Sequence, residues 1–203
     1  MGEGKGGGEK SERNGPIVKP AIIVVDMLKD TFKEGSELPI TQEARQILPN
    51  LQTLLKESRR KGFPIIYACD SFLKEDFIFK GKAKFHSLQG TKGAEVVDDL
   101  TPEKTDRVLP KRRFSAFFGT DLEKKLRKQG IDTIVVTGIT TEVCVLSTAM
   151  DGFCYDFYVI VLENCSASHR EERHQSCLNL YRNTSLHPLL RVMTADEFLK
   201  EVS

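Results

Sequence analysis

The sequence predicts an α/β protein: a three-layer, doubly wound fold in which a six-stranded, mainly parallel sheet lies between layers of helices. Two observations support this fold class. Short apolar runs alternate along the chain with segments whose apolar residues recur at helical spacing. The 203 residues, 39% of them hydrophobic, suffice for one well-filled core and show no internal repeat. We therefore expect a single domain with right-handed crossovers.

The first half of the chain predicts three strands and one long helix. Strands are expected at residues 21–26 (AIIVVD) and 64–70 (PIIYACD), because apolar runs of this length are typical of strands covered on both faces. Between them, residues 41–61 carry apolar side chains at helical spacing and predict a helix that stops at Gly62. After an irregular stretch, residues 106–111 (DRVLPK) form the third predicted strand.

The second half continues the same alternation. Residues 120–129 predict a helix, and Gly130 follows as a probable-type terminator because glycine tolerates the left-handed conformation beyond a helix. The remaining predicted elements, in chain order, are a strand and a helix within 135–150, a strand at 157–163, a helix at 168–182, a short strand near 189–193, and a last helix that opens with the capping box Thr194-x-x-Glu197.

Residues 135–150 (VVTGITTEVCVLSTAM) are the most informative segment. They predict a buried strand, a tight turn, and a helix that opens at Cys144. Unpaired N–H groups and the helix dipole favour an anion there, so we expect the pKa of the thiol to lie below its usual value of about 8.5. The same pattern also fits an inert core cysteine. From this segment alone, a nucleophilic and a structural thiol are both open.

Two charged residues stand at the ends of other predicted strands. Asp26 ends the first strand and Lys111 ends the strand at 106–111. Open α/β sheets bind ligands at the carboxyl ends of their strands, so both side chains are expected to meet Cys144 in one crevice. Either charge alone could simply meet water. Together the three residues indicate a nucleophile, a proton-transfer group and a charge stabiliser.

These residues lie in motifs that resemble the isochorismatase-like cysteine hydrolases, a family that includes nicotinamidases and N-carbamoylsarcosine amidohydrolases. The resemblance spans roughly residues 19–200. Its motifs are AIIVVDMLKD (21–30), QGTKGAE (89–95), LPKRRFSAFFGTDLEKKLRKQGIDTIVVTGITTEVCVLSTAMD (109–151) and EN-x-SAS (163–168).

The resemblance implies a catalytic triad of Asp26, Lys111 and Cys144. It also implies a cis peptide bond between Ile139 and Thr140, with the amides of Thr140 and Cys144 forming an oxyanion hole. The implied reaction is cleavage of the C–N bond of a small amide, carbamoyl or ureido compound through a thioester. Assembly into a homo-oligomer is implied as well.

The metal site of the resembling nicotinamidases is incomplete here. Their second strand is followed by D-x-H, whereas this chain has Asp70 within DSF (70–72). His86 matches one remaining ligand, so Asp70 and His86 are the candidate ligands for zinc or iron. Two protein ligands are fewer than the usual three or four, and we expect no required metal. His169 and His174, in HREERH, are five residues apart, point about 140° apart on a helix, and do not share a metal.

The substrate pocket is expected to be narrow and partly aromatic. Residues 71–92 are long enough to act as a lid and contain four phenylalanines. Phe32, Phe117 and His86 are the candidate pocket residues. The alternative is that the phenylalanines pack the lid or a subunit interface.

Composition narrows the partners and the location. Thirty basic and 29 acidic residues give a net charge of +1, which provides no general attraction for nucleic acid or a membrane surface. Residues 1–18 are Gly-rich and charged, which predicts a disordered tail before a domain at 19–203. Five irregularly spaced cysteines without an export signal predict a reduced, cytoplasmic protein.

Two alternative functions stay open at this point. One is a nicotinamidase with a degenerate metal site. The other is a thiol redox protein on the same fold, in which Cys144 reacts with an oxidant instead of an amide. A small-molecule amide is the expected partner in the first case.

Overall fold

Six parallel strands form the sheet at the centre of the molecule, and their order is β3-β2-β1-β4-β5-β6. The computed structural model describes residues 19–182 and 184–203, so the predicted tail at 1–18 lies outside the described residues. The strands are β1 (Pro20–Val25), β2 (Ile65–Asp70), β3 (Arg107–Lys111), β4 (Thr133–Ile139), β5 (Tyr158–Ala167) and β6 (Leu190–Met193). The prediction of a doubly wound α/β fold is confirmed, and every strand pair in this sheet is parallel.

Helices cover both faces of the sheet. They are α1 (Pro39–Arg60), α2 (Leu122–Lys128), α3 (Leu146–Cys154), α4 (Glu171–Asn179) and α5 (Ala195–Glu201). Helix α1 begins two residues earlier than predicted because Pro39 occupies its first turn, where a missing N–H costs nothing. Helix α5 opens with the predicted capping box. Within the described residues, no helix combines the length and the apolarity that crossing a bilayer requires.

Two hydrophobic cores lie on opposite faces of the sheet. Strand β1 contributes to both, since Ile22 and Val24 face the core under α1 and α5, whereas Ile23 and Val25 face the core under α2, α3 and α4. This explains why the strand reads as an unbroken apolar run. Fully burying one such side chain contributes about 1.5–3 kcal/mol. The central strands are therefore a rigid base for whatever stands at their ends.

The strand order creates a switch point between β1 and β4. From β1 the chain winds outward through β2 and β3, and it then returns to wind the other way through β4, β5 and β6. Gly138, paired with Val25 across this junction, has φ +101°, and a Cβ there would lie 2.1 Å from the Val25 carbonyl oxygen. Glycine thus lets β4 approach β1 where a ligand crevice is expected.

The connection after β5 differs from its prediction. Strand β5 runs on to Ala167, four residues beyond the predicted end at 163, and α4 is shorter than the predicted helix at 168–182. The longer strand pairs with the end of β4 after a register shift between Val136 and Gly138. As a result, the β5–α4 loop, which contains His169, reaches the carboxyl edge of the sheet.

Candidate active site

Four side chains meet at the carboxyl edge of four neighbouring strands. Lys111 ends β3, Asp70 ends β2, Asp26 follows β1, and Cys144 follows β4. Sγ of Cys144 and a carboxylate oxygen of each aspartate lie within 4.8 Å of one another. The structure therefore brings together the three residues predicted as the triad and adds Asp70.

The Asp26 carboxylate is held by two donors. Its Oδ2 accepts from Nζ of Lys111 at 2.8 Å, and its Oδ1 accepts from the amide of Asp70 at 2.7 Å. The backbone of Asp26 has φ 54°, a left-handed conformation that aspartate tolerates better than most residues. Its amide donates to the Ala68 carbonyl oxygen at 2.9 Å. These contacts fix the carboxylate beside the thiol.

Lys111 is a buried cation. Its side chain has no exposed surface, and Nζ also donates to Asp70 Oδ1 at 2.5 Å and to the Arg113 carbonyl oxygen at 3.3 Å. Burial alone would lower the pKa of Lys111, but Asp26, then Cys144 and Asp70, outweigh it and raise that pKa. The ammonium form is thus the resting form.

The pKa of Cys144 is raised well above its usual value, and the sequence-based expectation of a lowered value was wrong. Burial is the largest cause, the Asp26 carboxylate is the next, and Lys111 offsets part of the effect. Asp70 raises the pKa of the thiol further. Burial likewise raises the pKa of Asp70 itself, to about 7, with Asp26 adding to the shift. The resting nucleophile is a neutral thiol that needs a base.

The turn that carries Cys144 is a π-helical turn, Thr141–Val145, and α3 begins only after it. The predicted α-helix N-terminus at Cys144 is therefore replaced by a wider turn. The Ile139–Thr140 peptide bond is cis, as the resemblance implied. The carbonyl oxygen of Thr140 accepts from the amide of Val145 at 3.2 Å.

Two polar contacts that sequence reasoning missed anchor this turn. Thr141 Oγ1 lies 2.7 Å from Nδ1 of His174, and both side chains are buried. Ser168 Oγ donates to Glu142 Oε2 at 2.5 Å. His174 was considered only as half of a metal pair, although a histidine at a buried helix position also signals a hydrogen-bond partner.

A cavity of about 320 Å³ opens above the four side chains. Asp26, Asp70 and Cys144 lie at one side of it, together with Thr140. The rest of the lining is largely apolar with two imidazoles: Thr31, Ile40, Ile78, His86, Ser87, Phe114, Ile139, Val143 and His169. The cavity is large enough for a small organic molecule.

The structure keeps one of the three predicted pocket residues. His86 lines the cavity, but Phe117 is only 4% exposed and packs in the core near Tyr155 and Phe157. Phe32 packs against the core under α1, and its neighbour Thr31 lines the cavity instead. The aromatic residue at the cavity is Phe114, three residues after Lys111, whose position in the motif could have suggested it.

The predicted lid segment is held in place by aromatic packing. Phe72, Phe79 and Phe85 form edge-to-face contacts, with ring centroids of Phe79 and Phe85 4.9 Å apart. The His86 ring packs against Phe72 at 5.4 Å, and its Nδ1 lies 2.8 Å from the Lys84 carbonyl oxygen. For these phenylalanines the packing alternative is confirmed, and they orient His86 towards the cavity.

The donor set does not fit a resident metal ion. In residues 19–182 and 184–203, three or more possible ligand atoms come together only at Asp26, Asp70 and Cys144, a group without His86. The Lys111 ammonium already bonds to both carboxylates of that group, so a metal would place a second cation beside it. The predicted pair of Asp70 and His86 thus lacks the third protein ligand that zinc usually requires.

The isochorismatase domain model matches residues 20–197. The ureidoacrylate amidohydrolase RutB of Enterobacter sp. (strain 638) is 34% identical, over 72% of this chain and 74% of the relative. An isochorismatase-like hydrolase from Alkaliphilus metalliredigens superposes with a TM-score of 0.80 at 34% identity, covering 92% of this chain and 100% of the other.

Two further solved structures bear on substrate and metal. The N-carbamoylsarcosine amidase from Thermoplasma acidophilum has a TM-score of 0.76 at 31% identity, covering 88% of this chain and 98% of the other. A pyrazinamidase of Pyrococcus horikoshii, solved in complex with zinc, has a TM-score of 0.75 at 26% identity, covering 87% and 99%. Proteins with this fold therefore include both amidases and a zinc-bound enzyme.

Proposed function

We propose that this chain, which belongs to the isochorismatase domain family, is an amidohydrolase that uses Cys144 to cleave the C–N bond of a small amide, carbamoyl or ureido compound. The observation that carries the proposal is the buried thiol beside an Asp26 carboxylate that is ion-paired to Lys111 at 2.8 Å. This places a nucleophile, a base and a fixed cation against one cavity.

The first step is attack by sulfur with transfer of its proton. Because burial keeps Cys144 a neutral thiol, Asp26 takes the proton as the sulfur bonds to the substrate carbonyl carbon. Lys111 remains an ammonium and balances the charge that moves between carboxylate and sulfur. A carboxylate–lysine pair thereby does the work that a histidine does in other cysteine hydrolases.

The carbonyl oxygen becomes an oxyanion in this step. We assign its stabilisation to the amides of Thr140 and Cys144, which both belong to residues at the cavity. Donors of this kind are each worth about 3–4 kcal/mol in acyl transfer. The anchored π-helical turn keeps the Cys144 amide in a fixed place relative to its own sulfur.

Collapse of the tetrahedral intermediate breaks the C–N bond. Protonated Asp26 gives its proton to the departing nitrogen, which leaves as ammonia or an amine, and a thioester remains on Cys144. Asp26 then takes a proton from water, whose oxygen attacks the thioester, and the thiol is regenerated with that proton. The net reaction consumes one water and needs no metal or other cofactor.

The cavity favours small substrates. A volume of about 320 Å³ accommodates a compact amide or ureide, and the apolar side chains of Ile78 and Phe114 face the part of the molecule that does not react. The ureidoacrylate and carbamoylsarcosine activities named for the relatives fit the same size class. A cytoplasmic location and assembly into a homo-oligomer stay predictions.

The two alternatives are less well supported. A zinc-dependent nicotinamidase needs a metal site, and the donor set here does not fit one. A thiol redox protein needs an accessible, low-pKa cysteine, whereas Cys144 is buried and its pKa is raised. Amide hydrolysis makes better use of a neutral thiol with an adjacent base.

The test is a screen for ammonia or amine release from a panel of small amides, ureas, carbamoyl amino acids and pyridine carboxamides. We expect turnover of at least one carbamoyl, ureido or simple amide compound without added metal. Cys144→Ala should abolish it, and Cys177→Ala, which removes another buried cysteine, should retain it. Turnover by folded Cys144→Ala protein would exclude cysteine catalysis.

A further inference from the structure

The proposed mechanism leaves Asp70 without a task, although Asp70 makes the shorter contact with the catalytic cation. Nζ of Lys111 lies 2.5 Å from Asp70 Oδ1 and 2.8 Å from Asp26 Oδ2. The Asp70 side chain is 8% exposed and that of Lys111 is 0% exposed. One ammonium, shielded from water, is thus shared by two carboxylates.

The sheet fixes where Asp70 holds the ammonium. Asp70 and Lys111 are register partners across β2 and β3, and the Asp70 amide bonds to Asp26 on the other side. In the strand order β3-β2-β1-β4, Asp70 lies on the side of the centre that faces away from Cys144. Its contact with Lys111 therefore draws positive charge away from the sulfur.

We propose that Asp70 is a positioning residue that restrains the Lys111 ammonium and opposes ionisation of Cys144 until Asp26 accepts the thiol proton. The proposal rests on the proposed function for its role in turnover. Its effect on the resting thiol is independent of any substrate. A thiol kept neutral in this way is protected from alkylating and oxidising compounds between turnovers, since the thiolate is the reactive form.

The charges around the sulfur support this assignment. Two buried carboxylates face one ammonium, and both carboxylates raise the pKa of Cys144. A like charge within about 4–6 Å typically shifts a pKa by about 1–3 units. The other titratable groups lining the cavity are His86 and His169, which come from the lid segment and the β5–α4 loop.

The experiment measures iodoacetamide labelling of Cys144 between pH 5.5 and 9.5 by peptide mass spectrometry. Asp70→Asn removes the charge and keeps an acceptor for Lys111; Asp70→Ser removes the charge with a smaller side chain. In either folded variant we expect about tenfold faster labelling than wild type at pH 7.5, the midpoint moving down by about one pH unit. Asp70→Glu, which keeps the charge, should label with the wild-type midpoint.

Asp76→Asn is the matched control. The Asp76 side chain is 2% exposed and pairs with Arg112 and Arg113, so the variant also removes a shielded, ion-paired carboxylate from the same region. We expect it to leave the midpoint of Cys144 unchanged. Wild-type midpoints in both Asp70 variants, or an equal shift in Asp76→Asn, would overturn the proposal. Labelling uses no amide, so a protein without amidase activity would refute the proposed function and leave this result standing.

Discussion

Replacing Lys111 by Met should destabilise the protein strongly at pH 8 and less at pH 5. The ammonium is fully buried and bonded to Asp26 at 2.8 Å and Asp70 at 2.5 Å, so its loss leaves two carboxylates uncompensated. Removing one partner of a buried pair costs about 3–5 kcal/mol. For a chain of this length, about 2–4 °C per kcal/mol converts that to a fall in Tm of about 6–20 °C.

The pH dependence follows from the direction of the shifts. The pKa of Asp70 is raised to about 7 by burial and Asp26, so its contribution to stability is complete below about pH 4 and is lost as pH rises through 7. Without the ammonium this loss deepens. The pKa of Lys111 is raised above 10.5, so its own titration lies outside the pH 5–8 window.

Thermal melting at pH 5 and pH 8 checks this prediction. Lys125→Met is the control, because that side chain is 56% exposed and its pair with Asp121 spans 3.9 Å. It should change stability by no more than about 0.5 kcal/mol at either pH. A Lys111→Met protein that melts within 2 °C of wild type at pH 8, or loses as much at pH 5, would refute the assigned charge arrangement, 2 °C being about the shift expected from 1 kcal/mol.

Three further outcomes are expected. Gly138→Ala should cost about 3 kcal/mol or more in thermal melts, because its Cβ would lie 2.1 Å from the Val25 carbonyl oxygen and φ is left-handed; a wild-type Tm would contradict the close approach. At pH 7, iodoacetamide should modify exposed Cys154 before buried Cys144, and the reverse order in peptide mapping would restore a low-pKa thiol. Thr194→Ala removes an N-cap acceptor and should lower the unfolding free energy by about 1 kcal/mol in urea titrations, with no effect on amide turnover.

The fold was predictable because parallel strands covered on both faces read as apolar runs. Asp26 and Lys111 could be placed for the same reason, since a charge that directly follows such a run stands at the carboxyl end of the strand. Their pairing at 2.8 Å skips the intervening strand β2, an arrangement that follows from the strand order. Local sequence does not encode that order.

The same limit explains what was mispredicted. The role of Asp70 beside Lys111 depends on β2 lying between β1 and β3, and the pKa of Cys144 depends on burial and on that second carboxylate. Phe117 and Phe114 lie three residues apart in one irregular segment, where no periodicity indicates which ring faces the cavity. Side-chain direction in loops is set by tertiary packing.

Trapping the acyl-enzyme tests the central claim most directly. Acid quenching during turnover of an active amide, followed by peptide mass spectrometry, should reveal the mass of the substrate acyl group on the peptide that contains Cys144. The adduct should disappear when substrate is exhausted and should release acid with hydroxylamine, as a thioester does. Steady turnover with no adduct on Cys144, together with activity in Cys144→Ala, would contradict nucleophilic catalysis by this cysteine.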